Sequence, residues 1–354
     1  MPLDSEVLFD ALDKKLLGEQ FHRMVTRDRH RPAVFLLCTH EWGNIGDLAI
    51  NYNEVALLER LFPEHPVFPV SRSALAANWD RVRSAITPDD LIAIHGGGNL
   101  GDLWPHEEAA RLAVVEQFPH NRIVSFPQSI HFDAPAAQER SMRTYGGHER
   151  LLLAVRDDRS YEIAARHLGA DRVHRAEDIV TWQSYPYAFR EHQDRVMLVL
   201  RDDKEKRPES GIDAVRDMLT ASGAAEVTDT SIPRLPFSNT ELSAKLVYNK
   251  IDELHASRLV VTDRLHGALF ALIAGRPVIV FENSYGKIRG ALEHLLPALR
   301  ERVRFASPTG ADVTPDLIER MGALGPSGIS PAVVLADAQR DFERRVLLHA
   351  GAQI

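Results

Sequence analysis

The feature of this sequence that most restricts its fold is a repeating order of a short apolar run, a polar or glycine-rich loop and a helical pattern. The first unit has an apolar run at 33–38, a loop at 39–47 and a helical pattern at 48–62, and similar units start near 91, 122 and 151. Strands that alternate with helices indicate parallel sheets covered on both faces. We therefore predict an α/β protein.

The repeating order stops in the aromatic, aperiodic stretch 181–194 and then starts again. A chain of 354 residues is long enough for two domains of ordinary size. We predict two Rossmann-like doubly wound domains that face a cleft, at 1–183 and 184–330, followed by a C-terminal helix in 331–354. Ligands of open α/β sheets bind at the carboxyl ends of the strands, where the polar loops of this chain lie.

The charge and composition exclude several classes of protein. A formal charge of -8 argues against a nucleic-acid partner. The histidines do not follow a metal-binding spacing, so we expect no metal site. Apolar stretches of membrane-spanning or signal-peptide length are absent from the sequence, so we expect a cytoplasmic protein, for which peripheral membrane contact stays open. Cys38 is the single cysteine and lies in an apolar run, where a buried structural thiol is expected.

The strongest local pattern is the strand–loop–helix segment RLVVTDRLHGALFALIAG at 258–275. We expect Thr262 or Asp263 to cap a helix that starts near Arg264 or Leu265, which places Arg264 and His266 in its first turn. Cations are unfavourable there unless an anion occupies the helix end, because the helix dipole is already positive. The segment therefore predicts an anion site.

Each cation of this region also has a structural interpretation that remains open. Arg264 could pair with Asp263 or a neighbouring acid, and Lys287, in the loop after the next strand, could be a solvated surface residue. The functional interpretation has Arg264 and Lys287 bind the same anion, since guanidinium matches phosphate and carboxylate in two-pronged geometry.

The loop HGGGNLGD contains the spacing of a dinucleotide fingerprint, but its context argues against that function. The next strand ends at 125–128 without the acid that such a site uses for ribose. The glycines instead suggest close backbone approach of another ligand, and a tight turn without ligand is the alternative. The predicted contacts are Gly96, Gly97, Gly98, Asn99 and Asp102.

Three further loops supply candidate residues at strand ends. Asn44 and Asp47 belong to GNIGD, where Asp47 is either a ligand contact or a plain helix cap. Arg156 follows the strand at 151–155 and is a candidate for anion binding or a local structural charge. His95 and His131 are candidates for acceptor binding or proton transfer, although a lone histidine is more often structural.

Together these motifs resemble the polysaccharide pyruvyltransferase family. The resemblance rests on GNIGD, HGGGNLGD, PQSIH, RDDRSYE and above all TDRLHGALFALIAGRPVIVFENSYGK, and it covers about residues 34–290. It implies a glycosyltransferase-B-like fold. The donor it implies is phosphoenolpyruvate, used as a co-substrate with no cofactor, and the acceptor is a saccharide or lipid-linked oligosaccharide. It assigns donor binding to Arg156, Arg264, Leu265, His266 and Lys287.

The chemistry implied by the resemblance is pyruvate ketal formation with release of phosphate. His266 is then the candidate general acid, and Arg264 is a second candidate catalytic residue. His95, His131 or Asp102 would accept the hydroxyl proton. Two alternatives remain open. One is a glycosyltransferase that uses a sugar nucleotide, in which Glu282 would hold the ribose, and the other is a non-catalytic protein that binds an anionic metabolite.

Overall fold

The computed structural model describes residues 5–40, 43–182, 190–203, 206–207, 210–231, 240–283, 286–293 and 295–352. Two parallel sheets organise this part of the chain, as the repeating order of strands and helices predicts. The strands of the first sheet are β1 (Val34–Thr39), β2 (Val67–Ser71), β3 (Leu91–Ile94), β4 (Gly97–Gly101), β5 (Arg122–His131), β6 (Leu151–Val155) and β7 (Val173–Arg175). The strands of the second sheet are β8 (Val196–Val199), β9 (Ala225–Thr228), β10 (Leu259–Thr262), β11 (Val278–Val280) and β12 (Val303–Phe305).

The spatial order of the first sheet is β2-β1-β3-β5-β6-β7, and that of the second is β12-β11-β10-β8-β9. Each order reverses direction along the chain, which is typical of doubly wound sheets. The predicted domain boundary at residues 183 and 184 lies outside the described residues. The last strand of the first sheet ends at Arg175 and the first strand of the second begins at Val196.

β3 and β4 pair in succession with the long strand β5, both in parallel. β3 pairs with residues 122–125 and β4 with residues 128–131. The loop HGGGNLGD and the segment PQSIH, for which the sequence suggests loops, therefore form two paired strands. Because β4 pairs with the second half of β5, the sheet continues past the end of β3. Gly98 and Asn99 of β4 therefore lie at the cleft.

Helices cover both sheets on both faces. Those before and between the strands of the first sheet are α1 (Ser5–Thr26), α2 (Ile45–Leu61), α3 (Arg72–Ala77), α4 (Trp79–Ala85), α5 (Pro105–Gln117), α6 (Pro135–Gly147) and α7 (Asp158–Leu168). Those of the second half are α8 (Ile212–Ala221), α9 (Thr240–His255), α10 (Leu265–Ile273), α11 (Lys287–Leu292), α12 (Leu296–Leu299), α13 (Pro315–Gly322), α14 (Pro331–Val334) and α15 (Ala336–Ala350). Short 3-10 turns occur at Ala170–Arg172, Ile179–Trp182 and Arg300–Arg302.

One apolar cluster joins the two halves through α2 and α9. It contains Leu48 and Leu57 of α2, Val247 and Ile251 of α9, and Leu269 of α10, all nearly inaccessible to solvent. The hydroxyl groups of Tyr52 and Tyr248 lie 2.9 Å apart across the same contact. Because burial of apolar area stabilises association, this shared core holds the two sheets at a fixed distance across the cleft.

The C-terminal helix α15 returns to the first sheet. Phe342 packs against Phe126 and Trp182, with ring centres 6.0 and 5.2 Å away. Glu343 accepts two hydrogen bonds from the guanidinium group of Arg60 on α2, at 2.6 and 3.1 Å. The end of the chain therefore strengthens the contact between the halves. The sequence predicts the helix but not its packing partner.

Candidate active site

A cavity of about 560 Å³ lies between the carboxyl ends of the two sheets, and loops of both halves line it. The sequence placed its candidate residues at such strand ends, and nine of them reach this cavity. They are Asn44, Asp47, Gly98, Asn99, Arg156, Arg264, Leu265, His266 and Lys287.

Arg156 is fixed at the cavity wall by two partners. It follows β6 and is only 2% exposed. Its Nε donates to the hydroxyl of Ser129 at 2.9 Å, and its Nη1 donates to Oδ2 of Asp178. A buried guanidinium group needs such partners, since an unpaired charge away from water is strongly unfavourable. With these contacts made, the side chain is held in one orientation beside the cavity.

Asp178 is a central residue of this site, and the sequence analysis does not identify it. Its side chain is 1% exposed, and Oδ2 also lies 3.5 Å from Nε2 of His266. Oδ1 accepts the backbone N–H of Val180 at 3.1 Å, which fixes the plane of the carboxylate. Burial alone would raise the pKa of Asp178, but Arg156 and His266 outweigh burial and lower it. Asp178 is therefore an anion that connects the first half to His266 of the second.

His266 lies against a glycine of the opposite half. It belongs to the first turn of α10, and its ring packs on Gly46, in the first turn of α2. A Cβ at position 46 would lie 2.1 Å from Nδ1 of His266. Only a residue without a side chain permits this approach. The glycine of GNIGD is therefore explained by a contact between the halves.

Arg264 is held by acids that are distant in sequence. It is the N-cap residue of α10, and Thr262 accepts its backbone N–H at 3.0 Å. Its guanidinium group donates to Asp203 at 3.0 Å and to Asp229 at 2.9 Å. Asp263 accepts the backbone N–H of Arg201, so the acids that pair with Arg264 are Asp203 and Asp229 in place of Asp263.

The start of α10 agrees with the prediction, but its cap differs. The helix begins at Leu265, and its N-cap residue makes no side-chain hydrogen bond to the first turn. Burial raises the pKa of Asp263 to about 6, although Arg201 opposes this change. An uncapped, buried helix N-terminus at a cavity attracts an anion, through the helix dipole and its unsatisfied N–H groups.

Gly98 brings two cations together from opposite halves. A Cβ at this position would lie 2.7 Å from Nη2 of Arg156 and 3.3 Å from Nζ of Lys287. Lys287 is the first residue of α11, which follows β11 of the second sheet. Both nitrogen atoms therefore converge on one point of the β4 backbone, and a small dianion placed there would contact both.

The GNIGD loop closes one side of the cavity against the second half. Asn44 caps α2 by accepting the N–H of Gly46 at 2.9 Å, and the backbone N–H of Ile45 donates to the carbonyl of Thr230 at 2.8 Å. Oδ2 of Asp47 lies 3.4 Å from Nε2 of His40. Burial would raise the pKa of Asp47, but His40, followed by His266, lowers it below its usual value. Asp47 is therefore ionised at neutral pH.

Asn99 also has a fixed position. Arg111, which is fully buried in α5, donates to the carbonyl of Asn99 at 3.1 Å and to its side-chain oxygen. The amide nitrogen of Asn99 is therefore left to face other partners. Since Asn99 lines the cavity, Arg111 acts as its support.

The other five predicted residues lie outside the cavity lining. His95 is 1% exposed, and its Nδ1 contacts Glu54 at 2.7 Å. Gly96 donates its N–H to the same carboxylate at 2.7 Å, and Gly97 has a φ of 121°, which favours glycine. Glu54 therefore fixes the start of this loop, through the ring of His95 and the backbone of Gly96. A direct role for these residues in binding stays a prediction.

Asp102 and His131 are placed at the far end of the β4–β5 ladder. Both carboxylate oxygens of Asp102 accept backbone N–H groups, from Asp133 and Ala134, each at 2.8 Å. Asp102 thus stabilises the start of α6. Nε2 of His131 lies 3.2 Å from Asp133. Their suggested roles in proton transfer remain predictions without a geometric basis here.

Several cavity residues are absent from the sequence predictions. Arg201, Asp203, Thr230 and Ser231 come from the second half, and His40, Arg72, Trp104, His106 and Glu107 come from the first. They follow strands or begin helices at the same sheet edges as the predicted residues. Their position at the carboxyl ends of strands was the available signal. The segment RDD at 201–203 has the same form as 156–158, but the charges that follow it favoured a solvated loop. The other residues lie in no local motif.

The described part of the chain contains no cluster of three or more His, Cys, Asp or Glu side chains suited to a metal ion. Within the same residues, every helix is too short or too polar to cross a membrane.

Two Rossmann-like domains around a cleft of this kind define a protein with a glycosyltransferase-B-like fold. The chain matches the model of the polysaccharide pyruvyl transferase family over residues 44–285, and it belongs to that family. Membership supports a pyruvyl transferase that acts on a saccharide acceptor.

Two relatives are similar to this chain in sequence, and the first of them is named a pyruvyl transferase. Pyruvyl transferase 1 of Schizosaccharomyces pombe is 33% identical over 263 residues, which are 69% of this chain and 65% of that protein. General stress protein 30 of Bacillus subtilis is 27% identical over 315 residues, which are 88% of this chain and 89% of that protein.

Solved structures share the fold at low identity. An uncharacterized protein of Klebsiella pneumoniae has a TM-score of 0.55 at 15% identity, with 84% of this chain and 98% of that chain covered. MnaA of S. aureus, solved with UDP, has a TM-score of 0.54 at 12% identity, with 90% and 97% covered. At these identities the likeness concerns the fold alone.

Proposed function

We propose that this protein transfers the pyruvyl group of phosphoenolpyruvate to a saccharide, forming a pyruvate ketal and releasing phosphate. The observation that carries the proposal is the meeting of Arg156 and Lys287 at Gly98, in a cavity that His266 also lines. A small molecule with a phosphate and a carboxylate on one carbon matches this arrangement of cations.

Acids around the cavity orient the cations. Asp178 lies behind Arg156, and Asp229 lies behind Arg264; neither acid belongs to the cavity lining. Arg156 is therefore preorganised through its Nε and Nη1, while its Nη2 lies beside Gly98 at the cavity. Arg264 is held more fully, because Asp203 of the cavity lining also accepts from its Nη1. Fixed donors of this kind stabilise developing charge without reorganisation during the reaction.

The first chemical step is protonation of the methylene carbon of phosphoenolpyruvate. His266 donates this proton, since it lines the cavity and its ring is oriented by Oδ2 of Asp178, which lies 3.5 Å from its Nε2. The neighbouring carbon then has oxocarbenium character. A sugar hydroxyl adds to it, and its proton passes to Asp47, which His40 contacts at 3.4 Å.

The second step replaces phosphate. The carbon–oxygen bond to phosphate breaks, and the leaving group stays bound to Arg156, Lys287 and the N–H of Leu265 at the start of α10. A second hydroxyl of the same sugar closes the ketal, and its proton passes to His266, which regains the proton that it gave to the methylene carbon. One phosphoenolpyruvate and one diol give one ketal and one phosphate.

A glycosyltransferase that uses a sugar nucleotide has less support. That function requires Glu282 to hold a ribose, but the carboxylate of Glu282 accepts the N–H groups of Ile288 and Arg289, each at 2.9 Å. Glu282 therefore supports the start of α11, which presents Lys287.

The test is release of phosphate from phosphoenolpyruvate over a panel of glycans, with mass spectrometry of the product. Lys287→Ala should lose most activity and raise the KM for phosphoenolpyruvate. Arg289→Ala is the matched control, because Arg289 lies two residues further along α11, outside the cavity lining and 4.0 Å above the ring of Phe305. Equal activity of both variants, or no phosphate release by the unmodified protein with any glycan, would contradict the proposal.

A further inference from the structure

A second group of cavity-lining residues differs in chemistry from Arg156, Lys287 and His266, which line the proposed donor site. This second group comes from the starts of α3 and α5 and consists of Arg72, Trp104, Pro105, His106 and Glu107. A three-carbon phosphorylated acid fills only part of about 560 Å³, a volume typical of sites for larger ligands. The rest of the space is large enough for a second ligand.

In this second group of residues, Arg72 and Glu107 carry opposite charges and form an ion pair. Nε of Arg72 donates to Oε1 of Glu107 at 2.9 Å, and their side chains remain 23% and 14% exposed. The pair brings a guanidinium donor and a carboxylate acceptor to the same part of the cavity lining. Vicinal hydroxyl groups of a neutral sugar need both kinds of partner.

Trp104 supplies a flat apolar surface beside this pair. It is partly exposed, and its backbone is fixed because its carbonyl accepts the N–H groups of Glu107 and Glu108 at 3.0 and 3.2 Å. Pro105, the first residue of α5, further restricts the turn. A rigid indole ring can cover the apolar face of a pyranose ring at little entropic cost.

We propose that Trp104, with the Arg72–Glu107 pair, binds the acceptor sugar and thereby places its hydroxyl groups toward Gly98 and Asn99. This inference rests on the proposed function and adds the location of the acceptor and the residue that holds it. Asn99 is suited to lie between donor and acceptor, because Arg111 fixes its side-chain oxygen and β4 carries it into the cavity.

The experiment compares three variants of the full chain in steady-state kinetics. The acceptors are methyl pyranosides of glucose, galactose and mannose with free 4- and 6-hydroxyls, and disaccharides that end in them. Trp104→Ala should raise the KM for the acceptor about tenfold and change the KM for phosphoenolpyruvate less than twofold. Trp104→Phe keeps a ring and should stay within about threefold of the unmodified protein.

Trp79→Phe is the matched control, because Trp79 packs on Phe118 with ring centres 6.4 Å apart and lies outside the cavity lining. It should leave both KM values unchanged. Thermal melting with and without phosphoenolpyruvate accompanies the kinetics, since a bound donor raises the melting temperature. Trp104→Ala should keep the full donor-induced increase.

Two results would overturn the inference while the proposed function stands. One is an acceptor KM of Trp104→Ala within twofold of that of the Trp79→Phe control. The other is that Trp104→Ala loses donor affinity, or the donor-induced increase in melting temperature, to the same extent as it loses acceptor affinity. A third result concerns the proposed function itself. If the unmodified protein shows neither a donor-induced increase nor phosphate release, both proposals are wrong.

Discussion

Replacement of Gly46 by alanine has opposite effects on the stability of helix α2 and on the contact between the two halves. Gly46 lies in the first turn of α2, where helix propensity on its own favours alanine by up to about 1 kcal/mol. The added methyl group, however, would lie 2.1 Å from Nδ1 and 2.4 Å from Cγ of His266. An ordinary contact needs about 3.4 Å, so the imidazole ring must move by about 1.3 Å or the halves must separate.

The expected consequences of Gly46→Ala follow from that displacement. Forcing a methyl group into a packed contact costs about 1 to 3 kcal/mol, which exceeds the gain from propensity. A displacement of about 1 Å at a reacting group lowers turnover by about 10²-fold. We therefore expect a less stable protein whose kcat/KM for phosphoenolpyruvate falls about a hundredfold.

The control for Gly46→Ala is Gly18→Ala. Gly18 lies inside helix α1, and a Cβ there would meet nothing within 4 Å. This variant should gain up to about 1 kcal/mol in the free energy of unfolding and keep its kcat/KM. Urea unfolding and phosphate release are measured for both variants. If Gly46→Ala behaves as Gly18→Ala does in both assays, the contact between His266 and Gly46 is not part of the site.

Three further predictions concern buried ionisable groups. Burial raises the pKa of Glu177 from 4.5 to about 7, although the charge of Arg175 opposes this change. Between pH 4.5 and pH 7, Glu177 is therefore ionised in the unfolded chain but protonated in the folded chain. Stability therefore falls as pH rises from 4.5 to 7, and Glu177→Gln should stabilise the protein by about 2 to 3 kcal/mol at pH 8 but not at pH 4, by urea unfolding. Asp178→Asn should cost about 3 kcal/mol because it leaves Arg156 buried without its anion, whereas Ser129→Ala should cost about 1 kcal/mol; equal losses would contradict the ion pair. Burial raises the pKa of the Cys38 thiol to about 12, so an alkylating reagent at pH 8 should modify it only after unfolding, and labelling of the native protein would contradict its burial.

The alternation of apolar runs and helical patterns was sufficient to predict the α/β class and the places where loops meet the cleft. The short strands were harder to identify. β7 has three residues and β12 has three, so neither gives a periodic pattern in the sequence. The strand β4 was missed for another reason, because three successive glycines favour a loop unless a neighbouring strand such as β5 pairs with them.

The candidate site was predictable where a local motif carried it, and not where two distant segments meet. Arg264 stands out in its own segment, but its acidic partners Asp203 and Asp229 are 61 and 35 residues away. Asp178 follows the three-residue strand β7, and it becomes notable only beside Arg156 and His266. A single sequence holds no distance information between such segments, so the acids that orient the cations had no visible signal.

The glycines of the two similar loops show why the halves depend on each other. Gly46 admits His266 from the second half, and Gly98 admits Lys287 from the second half beside Arg156 of the first. In both loops the missing side chain leaves room for a polar side chain from the opposite half. A side chain at either position would therefore disturb the distance between the halves and not only a loop conformation. Gly46 is the fourth residue of GNIGD and Gly98 the first of GNLGD, so the two loops meet this requirement at different positions. In each case a glycine lets functional groups from two sheets meet within one small cavity.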